Sequence, residues 1–208
     1  MLRSRTGLVL FVIASLAMID RVRQPEPFLP VRSLSQPPGL IVAKDPPTQK
    51  AIVSGSKIRY QDAQLQPMAD FSFEARLLST KWYRFDSSAR FSPVDLGISW
   101  GKMSDSLNID ALTWRQGGRF LSYRYENEPP IPQSEIMSLV ANIHVLPANP
   151  NVLRQIAKLR PGQRIVGRGQ LVNLTSPDGF TWNSSLTRDD DGGGACELLY
   201  LSDVRAAN

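Results

Sequence analysis

Apolar and polar residues alternate through much of this chain, and this period-two pattern is the feature that most restricts its fold. Between Phe71 and Leu77 every second residue is apolar. Successive side chains of a β-strand point to opposite faces, so this segment predicts a strand with one buried face. The same pattern, interrupted by turn residues, recurs across residues 51–208. We therefore expect an α+β domain that is mainly β.

A β-hairpin is predicted near the middle of this region. The segments Ala111–Trp114 and Arg119–Tyr125 flank Gln116-Gly117-Gly118. Two glycines between strand segments favour a tight hairpin turn, because glycine adopts the positive φ angles that such turns require.

Two short helices are expected beside the strands. Residues 134–142 place their apolar side chains on one side of a helix. A second helix is predicted to begin at Asn149-Pro150, because Asn is a favourable N-cap and Pro is favoured in the first turn. The sequence Pro161-Gly162 then ends this second helix.

The last third of the chain predicts a small barrel. Gly167 and Gly169 lie inside the strand pattern of residues 163–174, and glycines within a strand mark a bulge or a bend. Residues 196–200 form the last predicted strand. This order fits a small, partly open antiparallel barrel, of which the OB fold is one type. We detect one core, and assign residues 51–208 to a single β-rich domain.

An apolar segment near the amino terminus predicts a membrane-directing sequence. Arg3 and Arg5 precede the uncharged residues 7–19, which is the order found in signal peptides and signal anchors. As a helix these residues span about 20 Å, less than the roughly 30 Å hydrocarbon layer of a membrane. We expect residues 1–23 to form a hydrophobic signal-anchor helix. A cleaved signal sequence and a helix packed on the domain are the alternatives.

Proline dominates the segment that follows. Residues 24–50 contain seven of the chain's 16 prolines. Proline favours an extended backbone without internal hydrogen bonds, so we expect a semi-rigid linker here.

The positive charge of the chain is concentrated in its first part. The whole sequence has 24 basic and 19 acidic residues, and a net charge of +5. Nine of the basic residues but only three of the acidic ones lie in residues 1–60, so the remainder is nearly neutral. Nucleic-acid binding needs clustered Lys and Arg to release counterions, and we therefore expect no nucleic-acid partner.

Cysteine and histidine each occur once, as Cys196 and His144. A single cysteine excludes an intramolecular disulfide, and a structural role for both residues is one interpretation. The other is a nucleophilic thiol activated by the imidazole, with Asn142 or Asp189 orienting the ring. A set with one His and one Cys does not favour a metal site, and we expect no cofactor.

Two further segments supply candidate ligand-binding residues. Residues 189–194 combine three Asp with three Gly, and glycines let backbone N–H groups approach a ligand, although the EF-hand spacing is missing and a solvated loop is the alternative. Residues 92–105 are expected to form a loop. They contain Asp95 and Asp105, expected to cap backbone donors, and an aromatic side chain suited to the core or to a ligand wall. The candidate rim residues are Trp100, Arg188, Asp189, Asp191 and Gly193.

Three blocks of sequence together resemble a family of uncharacterised bacterial proteins with an N-terminal membrane-directing segment. The blocks are Phe91–Asp105, Ser138–Ala148 and Ser184–Leu199. The resemblance implies an envelope location: a single-pass protein of the inner membrane with its C-terminal domain in the periplasm, or a periplasmic protein after cleavage. It implies no reaction, catalytic residue or ligand.

These observations lead to two hypotheses about function. The first is a membrane-tethered, non-catalytic domain that binds an envelope protein or a small ligand, since no complete catalytic motif is evident. The alternative is an envelope hydrolase or transferase that uses the Cys196/His144 pair.

Overall fold

The computed structural model describes residues 38–187 and 196–207 of the chain. The strands are β1 Thr48–Ala51, β2 Ile58–Tyr60, β3 Ala63–Trp82, β4 Val94–Ser99, β5 Thr113–Gly117, β6 Phe120–Arg124, β7 Val140–Pro147, β8 Arg164–Thr175, β9 Thr181–Trp182 and β10 Glu197–Ala206. The helices are a 3₁₀ turn at Gly101–Ser104, followed by α1 Ser106–Asp110, α2 Gln133–Ser138 and α3 Pro150–Ile156.

Five of these strands form a ring. The order is β3, β4, β7, β10 and β8, and β8 pairs again with β3. β7 and β10 are parallel, whereas the other neighbours in the ring are antiparallel. Helix α3 connects β7 to β8, so the connectivity is that of an OB-type barrel. The predicted mainly β fold with a small, partly open barrel is confirmed.

The long strand β3 makes this closure possible. Its first part pairs with β8, and its last part, from Arg76 to Trp82, pairs with β4. The register shifts between Leu77 and Ser79, and such an irregularity bends a strand and increases its twist. Apolar side chains of β3, including Phe71 and Phe73, point into the core, as the alternation predicts.

Glycine at position 169 allows β8 and β10 to approach each other at the bend. A Cβ atom on Gly169 would lie 2.1 Å from the backbone oxygen of Tyr200. The register of β10 shifts opposite this point, between Leu201 and Asp203. The glycines of this strand therefore mark a tight bend, in agreement with the sequence analysis.

The two predicted helices are present with different lengths. Asn149 caps α3 by accepting a hydrogen bond from the backbone N–H of Asn151 at 2.9 Å, and Pro150 occupies its first turn. Helix α2 ends at Ser138, and β7 begins at Val140. The predicted helix over residues 134–142 is therefore too long, because its apolar second half forms a central strand of the ring.

Part of the predicted linker packs on the domain. Ala43 is fully buried in the core, its N–H donates to Ser104 Oγ and its carbonyl accepts from the N–H of Gly101. Strand β1 adds residues 48–51 to the edge of β3. The boundary predicted at residue 50 is therefore too late, because prolines do not prevent short segments from packing between them.

The apolar segment at residues 7–19 lies outside the described residues. Within the ranges 38–187 and 196–207, no helix has the length and apolar character that a membrane span requires.

The bend at Gly169 gives a test of the fold. Replacing Gly169 with Ala should lower the free energy of unfolding by about 2 kcal/mol or more, because the new methyl group overlaps the Tyr200 carbonyl. Gly117→Ala is the matched control, since a Cβ atom at position 117 would have no neighbour within 4 Å. Urea denaturation of both variants measures the difference, and equal stabilities would contradict the close packing.

Candidate functional site

The candidate site lies on the outer face of β4 and β7. Alternate residues of these strands, among them Leu96 and Ile143, point into the core. The residues between them point outward, and the register places Asp95 opposite His144. The β5–β6 hairpin covers this outer face: a Cβ on Gly97 would contact Leu121 of β6 at 3.0 Å. Polar residues that would otherwise face water are therefore enclosed.

Asp95 is the centre of the site. Its side chain is fully buried, and Oδ1 lies 2.9 Å from His144 Nδ1 and accepts a hydrogen bond from Arg119 Nη1, also at 2.9 Å. One carboxylate oxygen thus serves two cationic partners. A buried charge is destabilising unless it is paired and hydrogen-bonded, and this arrangement provides both.

Arg119 connects the hairpin to the barrel. Its Nη2 donates to Asp86 Oδ1 at 2.8 Å, and its guanidinium carbon lies 3.8 Å from the centre of the Tyr83 ring. The residue has a φ of 72° and forms the hairpin turn together with Gly118. Non-glycine residues rarely adopt this conformation, so the turn holds the guanidinium in place at some conformational cost.

Cys196 lies next to His144, immediately before β10. β10 is parallel to β7, with Leu198 paired to His144. The thiol is close enough to the imidazole to interact with it electrostatically. Because Asp95 occupies Nδ1, Nε2 is the ring nitrogen left free for the thiol. The residue is partly exposed, so the thiol is not sealed in the core.

The thiol has two further polar neighbours. Asn142 Nδ2 donates to Sγ at 3.5 Å, and Sγ lies 3.8 Å from the carbonyl oxygen of Arg119. Asn142 Nδ2 also donates to that carbonyl, at 2.9 Å. Cys196 therefore lies in a polar environment made by β7 and the hairpin.

The charge state of His144 follows from these contacts. Burial alone would lower its pKa, but the hydrogen bond with Asp95, the interaction with Cys196 and the charges of both outweigh it and raise the pKa to about 9. The imidazole is therefore protonated at neutral pH.

Aromatic residues pack against the imidazole and the Arg119 guanidinium. The centre of the Trp182 ring lies 4.7 Å from that of His144, and 5.7 Å from the guanidinium carbon of Arg119. Burial and the charge of Asp95 raise the pKa of Tyr83 above its usual range. Tyr83 therefore remains a neutral phenol at every pH at which the domain would work.

The structure places the site residues predicted from the sequence in different environments. His144 and Cys196 are brought together as the second hypothesis requires. Trp100 is only 2% exposed and belongs to the core, where it cannot line a ligand rim. Of the other rim candidates, none lies within the described residues: Arg188, Asp189, Asp191 and Gly193.

Asp95 and Arg119 are the site residues that the sequence analysis does not identify. Both Asp95 and Asp105 are expected to cap backbone donors. Asp105 does so, accepting from the N–H of Leu107 at 2.9 Å. Asp95 instead orients the His144 ring, a role for which the sequence suggests Asn142 or Asp189. The one feature of the sequence that could have identified Asp95 is the presence of a carboxylate between the apolar residues of a strand.

No group of three or more His, Cys, Asp or Glu suited to a metal ion occurs in residues 38–187 and 196–207. The acidic stretch at residues 189–191 lies outside these ranges.

No family model matches this chain, and no curated protein or solved structure matches it either. The resemblance stated above stays a prediction. Its three blocks nevertheless meet at this site, because they supply Asp95, His144 with Asn142, and Cys196.

The raised pKa of His144 predicts a pH-dependent stability. An unfolded histidine has a pKa near 6.5, so the stabilising contribution is complete below that pH and is lost as the pH rises to about 9. The loss should be on the order of 3 kcal/mol. The comparison of wild type with His144→Gln by urea denaturation between pH 6 and 10 isolates it. Parallel curves for the two proteins would contradict the assignment.

Proposed function

We propose that the domain is a cysteine-dependent hydrolase or transferase. Cys196 is the nucleophile, His144 is its acid–base partner and Asp95 orients the imidazole. The observation that carries this proposal is the buried Asp95–His144 contact at 2.9 Å, with the Cys196 thiol interacting with the same imidazole. The geometry thus favours the second of the two functions expected from the sequence.

The roles follow from the chemistry of each group. Asp95 fixes the ring so that Nε2 faces the thiol, and it stabilises the imidazolium. The imidazolium stabilises the thiolate, which attacks an electrophilic carbon of the substrate. His144 then gives its Nε2 proton to the leaving group. Water completes a hydrolysis, or a second nucleophile completes a transfer, and the thiol is regenerated.

Charge balance around the ring supports this assignment. Asp95 has two cationic neighbours, Arg119 and His144, and Arg119 is also paired with Asp86. The carboxylate is therefore compensated even when His144 is neutral. His144 can consequently lose and regain a proton during a reaction without leaving an isolated buried charge.

A non-catalytic binding domain is the competing proposal. It retains the same fold and assigns the Asp95–His144 pair to stability alone. In that case an inert thiol would be expected.

The location of the domain is a second part of the proposal. We infer that residues 1–23 direct the chain to the inner membrane of a bacterium and that the domain faces the periplasm. The basic and apolar order of this segment supports the inference. An envelope protein as substrate or partner stays a prediction.

Thiol reactivity tests the enzymatic proposal. We expect iodoacetamide to alkylate Cys196 at pH 7 at least about tenfold faster than an ordinary exposed thiol, because the imidazolium favours the thiolate. The reference is Val53→Cys in a Cys196→Ala background, since position 53 is 100% exposed. His144→Gln and Asp95→Asn should each remove most of the excess rate. Mass spectrometry of the alkylated chain measures all four rates.

The reference thiol makes the result decisive. Cys196 is less accessible than position 53, so a faster reaction of Cys196 reports activation and not exposure. A rate at or below the reference, or one that is unchanged in His144→Gln, would refute the enzyme and leave the binding domain.

Two matched deletions test the location. Removing residues 7–19 should release the full-length chain from bacterial membranes, whereas removing residues 24–36 of the proline-rich segment, a deletion of equal length, should not. An alkaline phosphatase fused after Asn208 should be active only with residues 7–19 present, since this reporter folds outside the cytoplasm. Equal membrane fractions for the two deletions would contradict the proposal.

A further inference from the structure

The amide of Asn142 is directed at the thiol by a relay of side chains, of which Gln116 and Asn142 are buried. Ser79 Oγ donates to Gln116 Oε1 at 2.6 Å. Gln116 Nε2 donates in turn to Asn142 Oδ1 at 2.7 Å. Because Asn142 Oδ1 is an acceptor in this relay, its Nδ2 must face the opposite direction, towards Arg119 O and Cys196 Sγ.

The relay fixes an orientation that a side-chain amide does not have by itself. The oxygen and nitrogen of an amide are similar in shape, and only hydrogen-bond partners distinguish them. A serine hydroxyl can donate or accept, so the direction of the relay is set at its other end, where the Arg119 carbonyl can only accept an N–H from Asn142. Asn142 and Gln116 are each 7% exposed, so water does not compete freely for these bonds.

The two N–H groups of the Asn142 amide have different roles: one makes a structural hydrogen bond, and the other is available to a substrate. The N–H that donates to the Arg119 carbonyl at 2.9 Å closes the hairpin against β7. The second faces Sγ at 3.5 Å, and the sulfur of a thiol is only a weak hydrogen-bond acceptor. A donor beside the nucleophile, with one hydrogen not strongly bound, can respond to charge that develops on a substrate.

We propose that Asn142 is a further catalytic residue, the oxyanion donor for an acyl substrate, and that Gln116 and Ser79 are positioning residues for its amide. This inference rests on the proposed thiol nucleophile and deepens it, because it makes the substrate a carbonyl compound such as an ester, a thioester or an amide. A displacement at a saturated carbon forms no oxyanion, so it would not use a hydrogen-bond donor at this place.

The step is balanced without any further reactant. The thiolate of Cys196 forms a bond to the carbonyl carbon, and the π electron pair moves to the carbonyl oxygen, which accepts the N–H of Asn142. When the carbonyl forms again, the bond to the leaving group breaks and the leaving group takes the proton from His144 Nε2. The product is an acyl-enzyme at Sγ, and water or an acceptor removes the acyl group.

Two reactions of the same thiol separate the roles. Alkylation by iodoacetamide passes through no oxyanion, whereas acylation by p-nitrophenyl acetate does. Asn142→Ala should slow acylation, followed as the burst of p-nitrophenolate, by about 100-fold or more relative to its effect on alkylation. A purely structural role would change the two rates by the same factor.

A second variant and its control test the relay. Gln116→Met preserves an unbranched side chain but cannot orient Asn142, so it should lower the ratio of acylation to alkylation by about tenfold. Gln155→Met is the matched control: Gln155 also makes a side-chain hydrogen bond, to Asp203 Oδ1 at 3.3 Å, but on helix α3. The ratio should be unchanged in Gln155→Met.

The possible failures are distinguishable. If the wild-type thiol is alkylated no faster than the Val53→Cys reference, the thiol nucleophile itself is refuted, and the role of Asn142 with it. If the wild type is activated and acylated but Asn142→Ala retains the wild-type ratio, only the oxyanion role is refuted. Melting curves of each variant confirm that the compared proteins are folded.

Discussion

The burial of the Asp95 carboxylate is the constraint on which the rest of this site depends. Strand β4 is buried on both faces, and Asp95 lies in the middle of the side that the hairpin covers. A carboxylate in such a place must be paired, and its two partners come from different parts of the chain. His144 on β7 is adjacent in the barrel, whereas Arg119 arrives from an inserted hairpin. The need to compensate one charge therefore joins the barrel to its insertion.

The barrel is accessible to sequence reasoning because its core strands follow simple rules. The alternation in β3 and the capped start of α3 at Asn149 each depend on neighbours in sequence. Arg76 breaks the same alternation: its position predicts the solvent face of β3, yet it is fully buried and donates to Ser104 O and Ser106 Oγ. The segment around α1 covers the outer face of the strand, and the alternation of residues within β3 cannot show this coverage.

The candidate site is harder to predict because, as at Arg76, a segment distant in sequence covers the outer face of a strand. Residues 92–105 are expected to form a loop, whereas Val94–Ser99 form the strand β4, whose alternate residues face the core. Period two reveals that the other residues face away from the core, but not that a hairpin distant in sequence encloses them. Asp95 therefore resembles a solvated residue in the sequence, and its meeting with Arg119 depends on a turn at φ 72° that favours Gly at that position. The pairing of His144 with Cys196 is expected only because each occurs once.

Arg119 links the stability of the hairpin to the chemistry of the thiol. Its guanidinium and the His144 imidazole bind the same oxygen of Asp95, so the energy of each contact depends on the charge of the other. Its carbonyl oxygen, at the same turn, accepts from Asn142 and lies beside Sγ. A displacement of the turn would therefore change the partners of the carboxylate, the amide and the thiol together. A hairpin inserted into a small barrel can in this way hold a polar site in place without any of its residues belonging to the barrel core.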